Sequence, residues 1–508
     1  MMNNFEDCLK QYNEIGFVEL IVNPLVKIKG LPGARLFEVV IFENGEIGQV
    51  LSMNSLYVEV LTFSRKPTHI GDRVARTGHP IGVEVGDRLL GRVVDSLCNE
   101  IYFPGVRETA RENVPPKAGL DSSLGLGMTE SEFREIYSLA PDISKRKKIS
   151  RTLETGVAIV DLMVPLGMGQ RELIIGDRKT GKTNFLFQTI ITQAKKNSIC
   201  IYAAIGKNIA GVRKAANFLH AQGIFDKSII VSTSSADPVG LIQLTPYTAM
   251  TIAEYFRDKG HDVLLVLDDL TTHAKYYREI SLLSKKFPGR ASYPGDIFYI
   301  HSSLLERAGS FIHNEKGEVS ITCLPVAEAV EGDISGYIQT NIMSITDGHI
   351  FFDNDLFARG IRPAVNSFLS VTRVGRQTQT GARWGINREL NGFLSLLEKT
   401  RKFVHFGAEI NDNIKNTLKL GDRIYSFFNQ NFGRIVPLNL QLILFCMIWI
   451  GVWQEDTMAI MKSDIEKMMD KTESDENYRK KIDSYVEKAA GFNELLGFVS
   501  KNIDRLKV

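Results

Sequence analysis

The sequence predicts a multidomain protein with an N-terminal β-barrel, a central α/β domain and a C-terminal helical bundle. Three observations predict this fold class: glycine-punctuated β-branched runs near the N-terminus, alternating strand-like and helix-like segments in the middle, and helix-like segments alone towards the C-terminus. The 508 residues suffice for several domains. We expect domains at residues 1–100, 101–385 and 386–508.

Charge and composition favour a globular protein with no nucleic-acid or lipid-surface role. Lys plus Arg is 61 and Asp plus Glu is 59, so the formal net charge is only +2. The five cysteines are isolated in sequence and are expected to be small core residues. The N-terminus lacks a secretory signal pattern, and the longest apolar run, residues 438–453, is shorter than the about 20 residues that a membrane span needs. We therefore expect a soluble chain without a membrane span.

The barrel is predicted from short strand-like runs in the first hundred residues. An Asn-Gly pair at Asn44-Gly45 marks a hairpin turn inside one of these regions. Several short strands at such spacing are typical of a small barrel or sandwich. The runs are FVELIVNPLVKIKG (17–30), RLFEVVIFENGEIGQVLSM (35–53), YVEVLTF (57–63) and RLLGRVVDSL (88–97). Residues 104–150 are rich in Gly, Pro and charge and are predicted to form a connector or surface insertion.

The central domain is predicted from strand-like runs that alternate with helical spacing, a rhythm typical of a mostly parallel sheet. The predicted strands are ELIIG (172–176), SICIYAAIG (198–206), SIIVSTS (228–234) and DVLLVLDDL (262–270). Beyond residue 385 the apolar residues recur at helical spacing, which predicts the helical bundle.

A phosphate-binding loop is predicted directly after the first of these strands. The segment GDRKTGKT satisfies G-x-x-x-x-G-K-[ST], in which glycines let backbone N–H groups surround phosphate oxygens. Lys182 would neutralise the outer phosphates, and the Thr183 hydroxyl would ligate Mg2+. The predicted nucleotide contacts are Gly176, Asp177, Arg178, Lys179, Thr180, Gly181, Lys182 and Thr183.

A second strand supplies the carboxylate that a P-loop site requires for its metal. The run DVLLVLDDL ends in two acids, and Asp268 is the predicted metal ligand. Hydrolysis also needs a group that orients or deprotonates water. The strand after the P-loop helix is followed by Lys207, which is not a base near neutral pH. The residues therefore predict ATP or ADP binding with Mg2+ and poor cleavage.

Several further segments resemble the alpha subunit of rotary F-type ATP synthases. These segments are the P-loop GDRKTGKT, DDLTTHAKYYREISLL, PGRASYPGDIFYIHSSLLERAG, GDISGYIQTNIMSITDGHIFF and GIRPAVNSFLSVTRVG. The resemblance implies a hexamer of three alpha and three catalytic beta-type subunits around a gamma-type central stalk, with a peripheral stalk as a further partner. It implies a cytoplasmic location at the inner face of the cell membrane. It also implies that the central α/β domain is a P-loop (RecA-like) nucleotide-binding domain whose alpha site holds Mg-ATP without turnover.

The resemblance assigns roles to residues beyond the P-loop. Arg362 and Pro363 would border the adenine, and Gln430 would lie near the base, with Phe432 where the family has a second Gln. Arg373 would reach the neighbouring beta-type site as an arginine finger in trans, supported by Ser370.

The departures from the family pattern leave alternatives open. Lys179 and Lys207 stand where the family typically has Gln, and the N-terminal segment does not match the usual stalk-binding helix. One alternative is an alpha-like subunit of a divergent F-type-like ATPase of wall-less bacteria (mollicutes) that drives mechanical work such as motility. More distant alternatives are a ring-shaped RNA helicase of the same superfamily and a purely structural subunit.

Overall fold

The computed structural model describes residues 4–103, 131–405 and 411–507. Its strands, in chain order, are β1 (Ile15–Val22), β2 (Leu25–Lys29), β3 (Glu38–Phe42), β4 (Ile47–Met53), β5 (Val58–Thr62), β6 (Arg73–Pro80), β7 (Gly82–Gly86), β8 (Arg92–Val94), β9 (Ser131–Glu135), β10 (Arg146–Lys147), β11 (Thr152–Leu153), β12 (Leu166–Gly167), β13 (Glu172–Gly176), β14 (Ile199–Lys207), β15 (Ser228–Ser234), β16 (Val263–Asp268), β17 (Gly309–His313), β18 (Gly317–Glu328), β19 (Gly348–Phe352) and β20 (Val371–Thr372).

The α-helices, also in chain order, are α1 (Phe5–Tyr12), α2 (Ala158–Met163), α3 (Lys182–Lys195), α4 (Ile209–Ala221), α5 (Val239–Asp258), α6 (Leu270–Leu283), α7 (Ile297–Leu305), α8 (Tyr337–Ile345), α9 (Asn354–Ala358), α10 (Gly381–His405), α11 (Asp412–Phe428), α12 (Leu438–Trp449), α13 (Met458–Ser474), α14 (Glu476–Lys488), α15 (Phe492–Lys501) and α16 (Ile503–Leu506).

The described chain divides into two compact units. Unit one takes its residues from Met1–Lys147, Asn197–Glu328 and Ser335–Ile345. Unit two takes its residues from Lys148–Lys196, Ala329–Ile334 and Thr346–Val508. The α/β part of the sequence therefore contributes to both units. The three domain ranges expected from the sequence stay a prediction, and residues 104–130 of the predicted connector lie outside the described residues.

Unit one begins with a closed six-stranded barrel in the order β1-β2-β5-β4-β3-β6. Strands β3 and β5 are buried along their whole length, and their Val and Phe side chains help fill the interior. The predicted turn joins β3 to β4, where Gly45 has φ +82° and the Asn44 side chain accepts a hydrogen bond from the Glu46 amide. The predicted N-terminal β-barrel is confirmed. The run RLLGRVVDSL (88–97), expected to be one of its strands, instead supplies β8, which pairs in parallel with β15 outside the barrel.

Unit one also contains a parallel sheet in the order β18-β16-β14-β15-β8. The strands are almost continuous apolar runs because both faces of such a sheet are covered. Adjacent strands β14 and β16 run in register, with Ala204 opposite Asp268, so their carboxyl ends lie side by side. Strand β17 adds to β18 in antiparallel orientation. The predicted mostly parallel α/β sheet is confirmed.

Unit two holds the P-loop strand and the helical C-terminal region. Strand β13 pairs in parallel with β19, and β19 pairs antiparallel with β20. Helix α12 is buried along most of its length, as expected for a core helix. Trp453 is fully buried just after it and donates its indole N–H to Asp464 at 3.0 Å. The predicted helical C-terminal region is confirmed.

Two further expectations from composition can be compared with the structure. All five cysteines are free and buried, as expected of core residues. Within residues 4–103, 131–405 and 411–507, none of the helices is both long and apolar enough to cross a membrane.

Candidate functional site

The P-loop of unit two connects β13 to α3. Strand β13 is buried throughout, and a side chain at Gly176 would approach the Phe352 carbonyl oxygen to 2.4 Å. Gly181 has φ +95° and directly precedes α3, a backbone conformation that favours glycine. The N-terminus of α3 at Lys182 therefore faces the loop with the backbone N–H groups of its first turn and the positive end of the helix dipole.

Lys182 and Thr180 bond back to the loop that carries them. The Lys182 ammonium donates to the Gly176 and Asp177 carbonyl oxygens, both at 2.6 Å. The buried Thr180 hydroxyl donates to the Asp177 carbonyl at 2.8 Å. The Thr183 side chain is exposed on the first turn of α3. The loop thus holds the Lys182 ammonium and the Thr180 hydroxyl against its own carbonyl oxygens, and phosphate contacts by Lys182 and Thr183 stay a prediction.

Asp177, predicted to contact nucleotide, uses its side chain to hold the loop. The buried carboxylate accepts the Gly332 amide with both oxygens at 3.0 Å and also accepts the Asn354 side-chain amide. Arg178 and Lys179 are exposed, and Lys179 has φ +63°. Nucleotide contacts by these three residues stay a prediction.

A cavity of about 250 Å³ adjoins the P-loop within unit two. Five of its lining residues come from the sequence prediction, although they lie far apart in the chain: Thr180, Gly181, Arg362, Pro363 and Gln430. The lining also includes Phe432 and five residues that sequence reasoning missed: Val157, Asn431 and, on α3, the three residues Asn184, Phe185 and Gln188. These three residues follow Gly181 by three, four and seven positions, and this helical spacing could have indicated that they lie on the same face as the loop.

Arg362 and Gln430 are held in place at this cavity by backbone contacts. The Arg362 guanidinium donates to the Phe357 and Ile361 carbonyls at 2.7 and 2.8 Å and lies 3.5 Å from the centroid of the Phe357 ring. The Gln430 carboxamide accepts the Ala158 amide at 2.7 Å. These side chains form a preorganised wall rather than free hydrogen-bonding groups, which suits the flat face of an aromatic ring.

Arg373 and Ser370 lie on the segment around β20. Arg373 is exposed, and its guanidinium donates to the Thr346 carbonyl at 3.3 Å. The Ser370 hydroxyl donates to the Asn366 carbonyl at 2.7 Å and accepts the Phe351 amide at 3.0 Å. Ser370 thus fixes the loop before β20, while Arg373 keeps a solvent-facing charge.

The predicted metal carboxylate lies in unit one, at the end of β16. Asp268 is buried, and its two oxygens are engaged by the Lys207 ammonium at 2.8 Å and the Tyr202 hydroxyl at 2.7 Å. Asp269 caps α6 through the Thr272 amide at 2.6 Å and lies 3.3 Å from the same ammonium. Sequence reasoning named Asp268 and Lys207 separately but missed their pairing.

The charge of Lys207 is stabilised by these acids. Burial alone would lower the lysine pKa, but the two carboxylates outweigh that effect and raise it. Lys207 therefore carries a positive charge near neutral pH. In unit two, Thr183 offers an oxygen of the kind that magnesium takes. In unit one, any cation would have to compete with Lys207 for the Asp268 carboxylate. No group of three or more His, Cys, Asp or Glu side chains suited to a metal occurs in the described parts of either unit.

Comparison with known proteins agrees with this geometry. Residues 156–372 match the nucleotide-binding domain of the ATP synthase alpha/beta family. ATP synthase subunit alpha of Rickettsia bellii is 39% identical over 433 residues, covering 84% of this chain and 80% of the relative. The chain belongs to the ATP synthase alpha-subunit family.

Two other members of the family have similar identity and coverage. The Sulfurovum sp. alpha subunit is 40% identical over 433 residues, covering 85% of this chain and 82% of its own. That of Helicobacter acinonychis is 39% identical over 445 residues, covering 87% and 84%. The matched domain contains the P-loop, Asp268 and Arg362, and ends one residue before Arg373. The family resemblance predicted from the motifs is confirmed.

Proposed function

We propose that this chain is a nucleotide-holding, non-catalytic alpha-type subunit of a rotary F-type ATPase that makes or hydrolyses ATP. Its partners would be beta-type catalytic subunits, alternating with it in a hexamer of three alpha and three beta, a gamma-type central stalk, and a peripheral stalk. The head would lie in the cytoplasm at the inner face of the cell membrane. Membership of the alpha-subunit family supports this assembly.

The observation that carries the non-catalytic assignment is the residue at the end of β14. A hydrolytic P-loop site needs a group there that can position or deprotonate the attacking water. This strand ends at Lys207, whose ammonium is paired with Asp268 and Asp269. A charged lysine has no lone pair to accept a proton, so the chain lacks a general base at this position.

The nucleotide we propose is ATP or ADP with Mg2+. Lys182 and the N-terminus of α3 would bind the phosphates, and the Thr183 hydroxyl would contact the metal. Arg362, Pro363 and Gln430 would enclose the base in the 250 Å³ cavity. Magnesium would supply charge neutralisation for the phosphates. Asp268 stays a predicted ligand for which Lys207 competes.

Arg373 is the residue through which the chain would contribute to catalysis. Its exposed guanidinium is available to a neighbouring subunit, where it would stabilise negative charge that develops on the γ-phosphate. Ser370 would support it by holding the preceding loop. The subunit would then hold one nucleotide and assist cleavage of another.

The first experiment tests nucleotide binding without cleavage. The purified chain should bind ATP and release no phosphate. Lys182→Ala should weaken binding about 10- to 100-fold, the loss expected for a charge-assisted contact. Lys195→Ala, at the exposed other end of α3, is the matched control and should bind normally. Phosphate release by the purified chain, or unchanged affinity of Lys182→Ala, would contradict the proposal.

The second experiment tests Arg373 in the complex assembled with its beta-type partner. Arg373→Ala should lower ATP turnover by about 10³-fold or more, the effect of a finger acting in trans. Arg376→Ala removes an exposed arginine three residues away and should leave turnover near the wild-type rate. Turnover of Arg373→Ala within about threefold of wild type would refute the finger assignment.

A further inference from the structure

The strand that carries Arg373 to the surface is too short to position it alone. Strand β20 contains only Val371 and Thr372, which pair with His349 and Gly348 of β19. A two-residue edge strand supplies few ladder hydrogen bonds, so the position of Arg373 must depend on other contacts. These contacts come from Glu172, the first residue of the P-loop strand β13, and from Gln170 and Arg171, which directly precede it.

Gln170 connects the beginning of β13 to Thr372. Its side-chain N–H groups donate to the Thr372 hydroxyl at 3.1 Å and to the Glu172 carboxyl at 2.6 Å. Its carbonyl oxygen accepts the Gly167 amide at 2.8 Å. Gln170 is fully buried, and both ends of its carboxamide are therefore used. The residue that it holds is the immediate neighbour of Arg373.

Arg171 acts on the other side of Arg373 through Asp347. The guanidinium forms a bidentate pair with the Asp347 carboxylate at 2.8 and 3.1 Å. In addition, the Arg171 carbonyl accepts the Asp347 backbone N–H at 2.7 Å, and the Arg171 backbone N–H donates to the Asp347 carboxylate at 2.9 Å. The Asp347 carbonyl in turn accepts the Arg373 backbone N–H at 2.8 Å. The adjacent Thr346 carbonyl accepts the guanidinium of Arg373.

Glu172 completes the cluster from inside the sheet. It is fully buried opposite Gly348, where an added side chain would lie 2.6 Å from its carboxyl and 2.2 Å from the Val371 carbonyl. Burial raises the pKa of Glu172 well above its usual range, although the Gln170 hydrogen bond and the charge of Arg373 oppose this. Glu172 thus bonds to Gln170, while the Arg373 guanidinium bonds to the Thr346 carbonyl.

We propose that Gln170 and Arg171 are positioning residues for Arg373, which they hold through Thr372 and Asp347 respectively. The inference rests on the proposed trans role of Arg373. Through these contacts, the segment that begins the P-loop strand of this subunit controls the position of the charge that the subunit presents to its neighbour. Small displacements of a catalytic charge are costly, because an error of about 1 Å can reduce a rate by about 100-fold.

A double-mutant cycle on ATP turnover of the assembled complex tests the proposal. Gln170→Ala should reduce turnover by about 10- to 100-fold in the wild-type background, with little change in KM. In the Arg373→Ala background the same substitution should change turnover by less than about threefold, because nothing remains to be positioned. Gln193→Ala is the matched control, since it removes another buried glutamine of unit two, whose side chain donates to the Glu154 carbonyl.

Thr372→Val provides a milder second perturbation. It keeps the side-chain shape and removes the hydroxyl that Gln170 contacts, so it should also lower turnover only when Arg373 is present. Hydrogen exchange of the segment 366–376 should accelerate in both variants, while assembly into the complex stays unchanged.

The outcomes separate the two levels of inference. Equal losses in both backgrounds would show a general structural role and would overturn the positioning proposal while leaving the finger intact. Wild-type turnover of Gln170→Ala and Thr372→Val would also overturn it. If Arg373→Ala itself retained normal turnover, the finger assignment would fail and the positioning role would fail with it.

Discussion

Replacing Lys207 with methionine should destabilise unit one by about 3 kcal/mol. Methionine keeps the unbranched shape of the lysine side chain and removes the ammonium. The buried Asp268 carboxylate would then keep only the Tyr202 hydroxyl of its two side-chain partners, and Asp269 would keep its helix-capping contacts. Two buried carboxylates would thus stand side by side without a positive charge between them.

The magnitude follows from distance and exposure. At 2.8 Å the Lys207–Asp268 attraction is about 6 kcal/mol for an effective dielectric constant of about 20, before desolvation is subtracted. Breaking a buried ion pair from one side typically costs about 3–5 kcal/mol. The Lys207 side chain is 33% exposed, so water can enter the vacated space and the lower end of that range applies.

The pH dependence of this deficit has a definite sign. Because the folded-state pKa of Lys207 is raised, its stabilising contribution is fully present below the unfolded lysine pKa of about 10.4. It is lost only as the pH rises through the still higher folded value. The deficit of Lys207→Met should therefore be constant between about pH 6 and about pH 9.

The assay must report on unit one. The three tryptophans, Trp384, Trp449 and Trp453, all belong to unit two, so their fluorescence is unsuitable. Hydrogen exchange as a function of urea concentration, followed in peptides from β14 and β16, measures the opening free energy at the ion pair.

Lys259→Met is the matched control. Lys259 pairs with Asp87 at 3.3 Å and is 34% exposed, but its acid is 53% exposed, so this loss should be at most about 1 kcal/mol. Adding Asp268→Asn to Lys207→Met should recover about half of the deficit by removing the uncompensated charge. A deficit below about 0.5 kcal/mol, or one equal to that of Lys259→Met, would refute the reasoning.

Two further predictions concern the metal and acid stability. Mg2+ should tighten ATP binding by the wild-type chain in calorimetry. Thr183→Val should bind ATP normally in EDTA but lose this tightening, whereas Thr183→Ser should retain it; equal tightening in all three would exclude the hydroxyl as a ligand. Burial lowers the pKa of His273 to about 4 and that of His301 to about 3. Stability should therefore fall by up to about 1.4 kcal/mol per pH unit per histidine as pH drops below about 6.5. His301→Phe should roughly halve this slope in urea titrations followed by circular dichroism, and an unchanged slope would contradict the assignment.

Structural features formed by consecutive residues could be predicted, because the residue types and their spacing along the chain determine them. The P-loop is a run of eight residues, GDRKTGKT, whose glycines and following helix are specified by neighbours in the chain. Strand β15 has the predicted bounds, and β14 and β16 differ from prediction by one or two residues at each end, because uninterrupted β-branched runs mark buried strands. The turn at Asn44-Gly45 was likewise readable from two residues.

Contacts between distant residues were decided by the tertiary structure. The family resemblance identified Gln430 as a candidate residue. It did not reveal that the Gln430 carboxamide accepts the Ala158 amide, 272 positions away. The strand pattern placed Lys207 after one predicted strand and Asp268 at the end of another. Only the pairing of β14 with β16 brings these two charges together. The residues around Arg373 converge in the same way through the register of β13, β19 and β20. Sequence by itself determined the chemistry available to this protein, because residue type and local spacing carry that information. Strand pairing and packing decided which charges compensate one another, because such contacts depend on burial and distance rather than on sequence proximity.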